Sequence, residues 1–140
     1  MKKMTTLLIL ITITLSLMAP TSPVLYIAEA EAIRPYENLW QAVCKVESSG
    51  NPMAIGDLHL KDKSYGIAQV RRTRLTDYYQ RTGINYSEKD MFDPVKSKEV
   101  FMYYCIGTDL ERISRCWNGG AKGMDKKSTV KYWKLIQKQL

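Results

Sequence analysis

"VESSGNP", residues 46–52, follows the mostly apolar run "YENLWQAVCKV" and ends in a chain breaker. Tyr36, Leu39, Trp40 and Val43 recur at the i, i+3, i+4, i+7 spacing of an amphipathic helix. The next position on that stripe is Glu47, so the core-facing side ends in a carboxylic acid. Gly50 and Pro52 do not continue a helix, which puts Glu47 in the last turn. Both placements oppose ionisation. Partial burial favours the neutral carboxyl, and so does the negative end of the helix dipole. A carboxyl that stays protonated near neutral pH is what a general acid requires. The plainer alternative is a glutamate with its stem on the core and its head in water. The rest of the chain decides between them.

The 140-residue chain opens with "MKK", runs apolar through "LLILITITLSLMA" and reaches small residues in "AEAEA". That order predicts a secretory signal peptide over 1–32, cut after Ala30 or Ala32, followed by one small domain over 33–140. The rival is an uncleaved membrane anchor, which Pro20 and Pro23 disfavour by interrupting the span. Export to the periplasm or the extracellular space is therefore expected, with no stable membrane insertion after cleavage. The net charge is +7. Outside the cytoplasm, an anionic envelope polymer or a membrane surface suits that charge better than nucleic acid. Its densest runs, "RRTR" at 71–74 and "KK" at 126–127, read as solvated faces.

Three cysteines, Cys44, Cys105 and Cys116, allow one disulfide and leave a thiol over. Cys105 with Cys116 is the expected pair; three buried thiols are the alternative. The lone histidine, His59, has no partners at ligand spacing, so neither a metal site nor a histidine-based triad is expected. No cofactor is implied.

Residues 53–65 are polar and irregular, either a loop or a short hairpin, and carry Asp57 and Asp62. A helix is expected over 67–81, with Val70, Leu75, Tyr78 and Tyr79 inward and Gly83 as its stop. Asp93-Pro94 reads as N-cap and first residue of another, bearing Val100, Phe101, Tyr103 and Tyr104 and ending near Gly107. Thr108 and Glu111 form a capping box for a short helix with Leu110, Ile113 and Trp117, stopped by "NGG" at 118–120. A last helix starts at Ser128 or Thr129 and runs to the terminus with Tyr132, Trp133, Ile136 and Leu140. The fold class is mostly α, of α+β type: a compact helical domain with one irregular segment or short hairpin.

Three segments in order, "VESSGNP", "SYGIAQV" at 64–70 and "RCWNGG" at 115–120, resemble the lysozyme-like superfamily, and specifically its soluble lytic transglycosylase (SLT) type of domain. That family has Glu-Ser at a helix end followed by Asn-Pro, then Gly-Leu-Met-Gln, then Tyr-Asn-x-Gly, then a late Tyr. Here these read Glu47-Ser48 with Asn51-Pro52, Gly66-Ile67-Ala68-Gln69, Trp117-Asn118-Gly119-Gly120, and Tyr132. The ending "WNGG" with "YW" at 132–133 is also similar to invertebrate-type lysozymes. The resemblance implies that Glu47 protonates the glycosidic oxygen and that Ser48 steadies the turn beside it. It further implies that Gly66 and Gln69 line the sugar cleft and that Asn118 bonds within the site.

Two departures matter. Ala68 replaces the family's Met, which takes a side chain from the cleft floor. Trp117 replaces the Tyr, which leaves either its indole N–H or the Tyr132 phenol to meet the catalytic carboxyl. The implied function is cleavage of the β-1,4 bond of peptidoglycan strands. Two chemical outcomes stand open. One is a lytic transglycosylase that uses Glu47 alone and leaves 1,6-anhydro ends. The other is a hydrolase with Asp57 or Asp62 as second carboxylate. A glycan-binding module that does not cut is the non-enzymatic alternative. Peptidoglycan is the implied partner, with an envelope-spanning secretion or conjugation machine as a candidate recruiter.

Overall fold

The apolar stripe ending at Glu47 does form a helix, and Leu39, Trp40 and Val43 on it are buried. In the computed structural model, residues 23–105 and 109–140 are described, with side chains from residue 34 onward. The leader expected over 1–32 thus lies largely outside the described residues. Residues 34–140 form one compact unit. Helix α1 (Pro23–Ser48) buries Leu39, Trp40, Ala42, Val43 and Cys44. No described helix is long and apolar enough to cross a membrane.

The segment after α1 is a three-stranded antiparallel sheet of two-residue strands: β1 (Ile55–Gly56), β2 (Ser64–Tyr65) and β3 (Val70–Arg71). Ile55 pairs with Tyr65 and Gly56 with Ser64; Ser64 then pairs with Arg71 and Tyr65 with Val70. The hairpin alternative is thereby met. The helix expected over 67–81 is corrected: Gly66 to Gln69 form a turn, Val70 belongs to β3, and α2 begins at Arg72 (Arg72–Thr82). Gly66 and Gln69 both have positive φ, at 75° and 53°, which no helix start tolerates. Tyr79, expected inward, is exposed.

A 3₁₀ turn (Glu88–Phe92) then delivers buried Met91. Asp93 caps α3 (Pro94–Tyr103) as expected, its carboxylate accepting from the Val95 N–H. Tyr103 ends that helix, short of the expected Gly107. Thr108 lies outside the described residues; the cap of α4 (Leu110–Gly119) is Asp109, which accepts from the Arg112 N–H at 2.8 Å. Glu111 pairs instead with Arg115. Helix α5 (Lys127–Gln137) buries Tyr132 and Ile136, while Leu140 lies beyond it and is exposed. The cysteines are all free thiols, Cys44 and Cys105 buried and Cys116 half-buried, so the expected Cys105–Cys116 bridge is not formed.

Phe101 of α3 sits at the centre, fully buried, with the rings of Trp40 at 5.4 Å and Trp117 at 5.1 Å. Its burial contributes about 2–3 kcal/mol of hydrophobic free energy. Arg115 locks α5 to α4. Its Nε donates to Thr129 Oγ1, its Nη1 to Glu111, and its Nη2 to the Met124 carbonyl at 2.6 Å. A Cβ on Gly123 would come within 2.1 Å of the Arg115 carbonyl, so only glycine lets the connection pass there. This lock positions α5, and with it Tyr132. The architecture is the expected one, mostly helical with one small sheet.

Candidate active site

The chain leaves α1 abruptly. Ser49 N–H donates to the Lys45 carbonyl and Gly50 N–H to that of Cys44, with φ of 56° and 81° at the two residues. This left-handed stop leaves Glu47 in the last turn, facing an open cleft of about 1170 Å³. Ser48 does not line the cleft; its hydroxyl donates to the Ile67 carbonyl at 2.8 Å, tying the end of α1 to the β2–β3 turn.

Behind Glu47, the Tyr132 hydroxyl donates to its Oε1 at 2.8 Å. Burial raises the Glu47 pKa to about 7; the nearby Asp57 charge adds to this, while Tyr132, Arg71 and Arg74 oppose it. Burial, and then the Glu47 charge, push the Tyr132 phenol far above its ordinary range, so it remains a donor at all working pH values. Of the two candidates for meeting the carboxyl, the phenol does so. The Trp117 indole N–H donates to the Ala68 carbonyl at 3.2 Å instead. Ala68 is itself fully buried and forms no part of the cleft surface.

The small sheet supplies the next wall. Asp57 Oδ2 accepts from Arg71 Nη2 at 2.6 Å, and Ser64 Oγ lies 3.0 Å from it and 2.7 Å from Gln69 Oε1. Gln69 Nε2 donates to the Gly66 carbonyl at 2.8 Å. A Cβ on Gly56 would meet Gln69 Oε1 at 2.1 Å, so the glycine makes room for that amide. Gly66 is constrained differently from the expectation: the group crowding it is the Met91 carbonyl, and it does not line the cleft. Asp62 lies outside the cleft and accepts from Thr73 Oγ1. Ser49, Asp57 and Gln69 are the non-glycine residues of positive φ among those described; Ser49 lies two residues after Glu47, and Asp57 and Gln69 line the same cleft. Such strain concentrates at functional sites.

Trp117 and exposed Asn118, at the end of α4, form the opposite wall. The cleft then continues along α2, past Arg74, Asp77 and Arg81, to Tyr103 and Tyr104. Arg71 and Arg74 had read as part of a solvated charge run. Arg74, Asp77 and Arg81 stand at i, i+3, i+7, a polar stripe as regular as an apolar one, and that periodicity was the available signal. Among the described residues no cluster of His, Cys, Asp and Glu converges on a metal-sized site. The site thus holds a carboxyl whose pKa is raised to about 7, in an open cleft also lined by Asp57.

A chain of the crystal structure of Aeromonas hydrophila PliI in complex with Meretrix lusoria lysozyme is similar in fold. Its TM-score is 0.59 at 24% identity, over 72% of this chain and 87% of that one. No curated protein matches the sequence. The family model described as "Transglycosylase SLT domain" matches residues 25–139. That span holds Glu47, the Gly66–Gln69 turn, Trp117-Asn118 and Tyr132, the residues on which the resemblance was drawn. With nearly all of its described length matched, the chain belongs to the transglycosylase SLT domain family.

Proposed function

We propose that this protein cleaves the β-1,4 bond between N-acetylmuramic acid and N-acetylglucosamine in peptidoglycan, as a lytic transglycosylase. One observation carries the reading: Glu47, raised to about pKa 7, faces the cleft with a permanent donor behind it. Glu47 gives its proton to the glycosidic oxygen as the C1–O bond breaks. The 6-hydroxyl of the muramic acid then bonds to C1, and its proton returns to the Glu47 carboxylate. No water is consumed, so one carboxyl suffices. The acid must begin protonated, so the rate is expected to fall as pH rises through about 7. Peptidoglycan lies outside the cytoplasm, which accords with the leader proposed over 1–32 and with export.

Tyr132→Phe tests the partner of the acid. The hydroxyl lowers the Glu47 pKa, so its loss should move the alkaline limb of the pH–rate profile upward and reduce kcat by about tenfold. An unmoved limb would count against the pairing.

The competing outcome is hydrolysis with Asp57 as second carboxylate, favoured by its presence in the same cleft and its influence on Glu47. Mass spectrometry of digested peptidoglycan separates the two by one water per new end. Asp57→Asn is expected to leave the product mass and the rate below the Glu47 limb nearly unchanged, while moving that limb to lower pH because the Asp57 charge helps to raise the Glu47 pKa. A sharp loss of rate in that variant, with reducing ends from the wild type, would make the protein a lysozyme. An absence of any cleavage would leave a glycan-binding module.

A further inference from the structure

Neutral sugars do not require a fixed cation in their cleft, yet this cleft holds one with no carboxylate partner. Arg71 is paired with Asp57 and Arg81 with Asp77. Among the described residues Arg74 forms no ion pair with a carboxylate. Its Nη2 donates to the carbonyls of Cys116 and Trp117, at 3.2 and 3.1 Å. Its guanidinium carbon lies over two rings, 4.4 Å from the Trp117 centroid and 4.8 Å from that of Tyr104. Tyr104 is held in turn by its hydroxyl bond to Asp77 at 2.7 Å. The two cation–ring contacts and the two carbonyl bonds fix the side chain before any ligand arrives, so little entropy remains to be lost on binding. A half-buried guanidinium fixed beside the acid would lose hydration without compensation if only neutral hydroxyls covered it.

We propose that Arg74 is a specificity residue that receives a carboxylate carried by the glycan strand. It rests on the peptidoglycan reading above. Such a carboxylate has two sources: the free carboxylates of the stem peptide, which is joined through an amide to the lactyl carboxyl, or, on muramic acid without a peptide, the lactyl carboxylate itself. Either would approach the guanidinium edge not used by the α4 carbonyls and form a charge-assisted bond. The neighbouring Asp77–Arg81 pair continues the same wall along α2.

The test varies the substrate, so that Arg74 and the fold stay intact. Binding of the Glu47→Gln protein is measured by calorimetry against three soluble strands: peptide-bearing with free carboxylates, the same with its carboxylates amidated, and peptide-free with the lactyl carboxylate retained. Amidation is expected to weaken binding about tenfold, the scale of one charge-assisted hydrogen bond. Peptide-free strands that bind as weakly as the amidated ones identify the peptide as the source; peptide-free strands that bind about tenfold more tightly than both peptide-bearing forms identify the lactyl group. In an Arg74→Gln, Glu47→Gln background the effect of amidation should shrink to less than about twofold. Equal affinity for all three strands overturns the proposal. So does an amidation effect that persists without Arg74, because general attraction to a protein of charge +7 would explain it. A wild type that discriminates by carboxylate but cuts no strand would overturn the cleavage reading alone.

Discussion

Glu47→Gln is expected to lose cell-wall cleavage by about a hundredfold or more, the lower end of what a general acid contributes, and to be more stable than the wild type at pH 8. The second effect follows from the same burial as the first. The carboxyl has a model value of 4.5 and a folded value of about 7. Between those values the folded state binds the proton that the unfolded state has released. Stability therefore falls as pH rises from about 4.5 to 7, and the group's whole penalty is present above 7. At about 1.4 kcal/mol per unit the penalty amounts to roughly 3–4 kcal/mol. Glutamine cannot ionise, and its carbonyl oxygen still accepts from Tyr132. The gap in melting temperature between variant and wild type should thus be small at pH 4.5 and widen steadily toward pH 8. Parallel pH dependences would show that Glu47 ionises freely, which would remove the basis for its role as an acid.

Gly66→Ala is expected to cost at least about 3 kcal/mol, a large fraction of the stability of a domain of this size. Its Cβ would lie 1.8 Å from the Met91 carbonyl oxygen and 2.6 Å from the carbonyl carbon, both backbone atoms. The backbone there also has φ of 75°, which alanine adopts only with strain. Gly83 separates the two costs. It has the same φ of 75° with nothing within 4 Å, so Gly83→Ala should cost only about 1 kcal/mol. Urea denaturation of both variants measures the difference. Similar losses in the two would mean that the β2–β3 turn yields and that Gly66 is kept for something other than its contact with Met91.

Much of this protein could be read from local pattern. The stripe Tyr36–Leu39–Trp40–Val43 and the breaker behind it defined α1 and put Glu47 in its last turn, because helix period and helix termination are properties of neighbouring residues. Asp93-Pro94 announced α3 for the same reason. The ordered motifs also identified the family, since they span most of the domain.

What failed locally was decided by contacts between distant segments. Val70 and Arg71 read as helix because their residue types permit it. They form a strand because Ser64 and Tyr65 offer a hydrogen-bonding edge across a turn that Gly66 and Gln69 make possible. No spacing foretold that Trp117 would spend its N–H on the Ala68 carbonyl 49 residues away, nor that Tyr132 would reach Glu47 across 85 residues. Arg74 looked solvated because a charge run carries no record of what packs over it; the rings of Trp117 and Tyr104 turned it into a wall of the cleft. The sequence alone therefore determined most of the helices and the place of the acid, carried by residues close together in the chain, and the family, carried by the order of short local motifs. The tertiary structure alone decided the partner of the acid, the small sheet and the charge of the cleft. Those depend on burial and on hydrogen bonds between segments that meet only when the core around Phe101 closes.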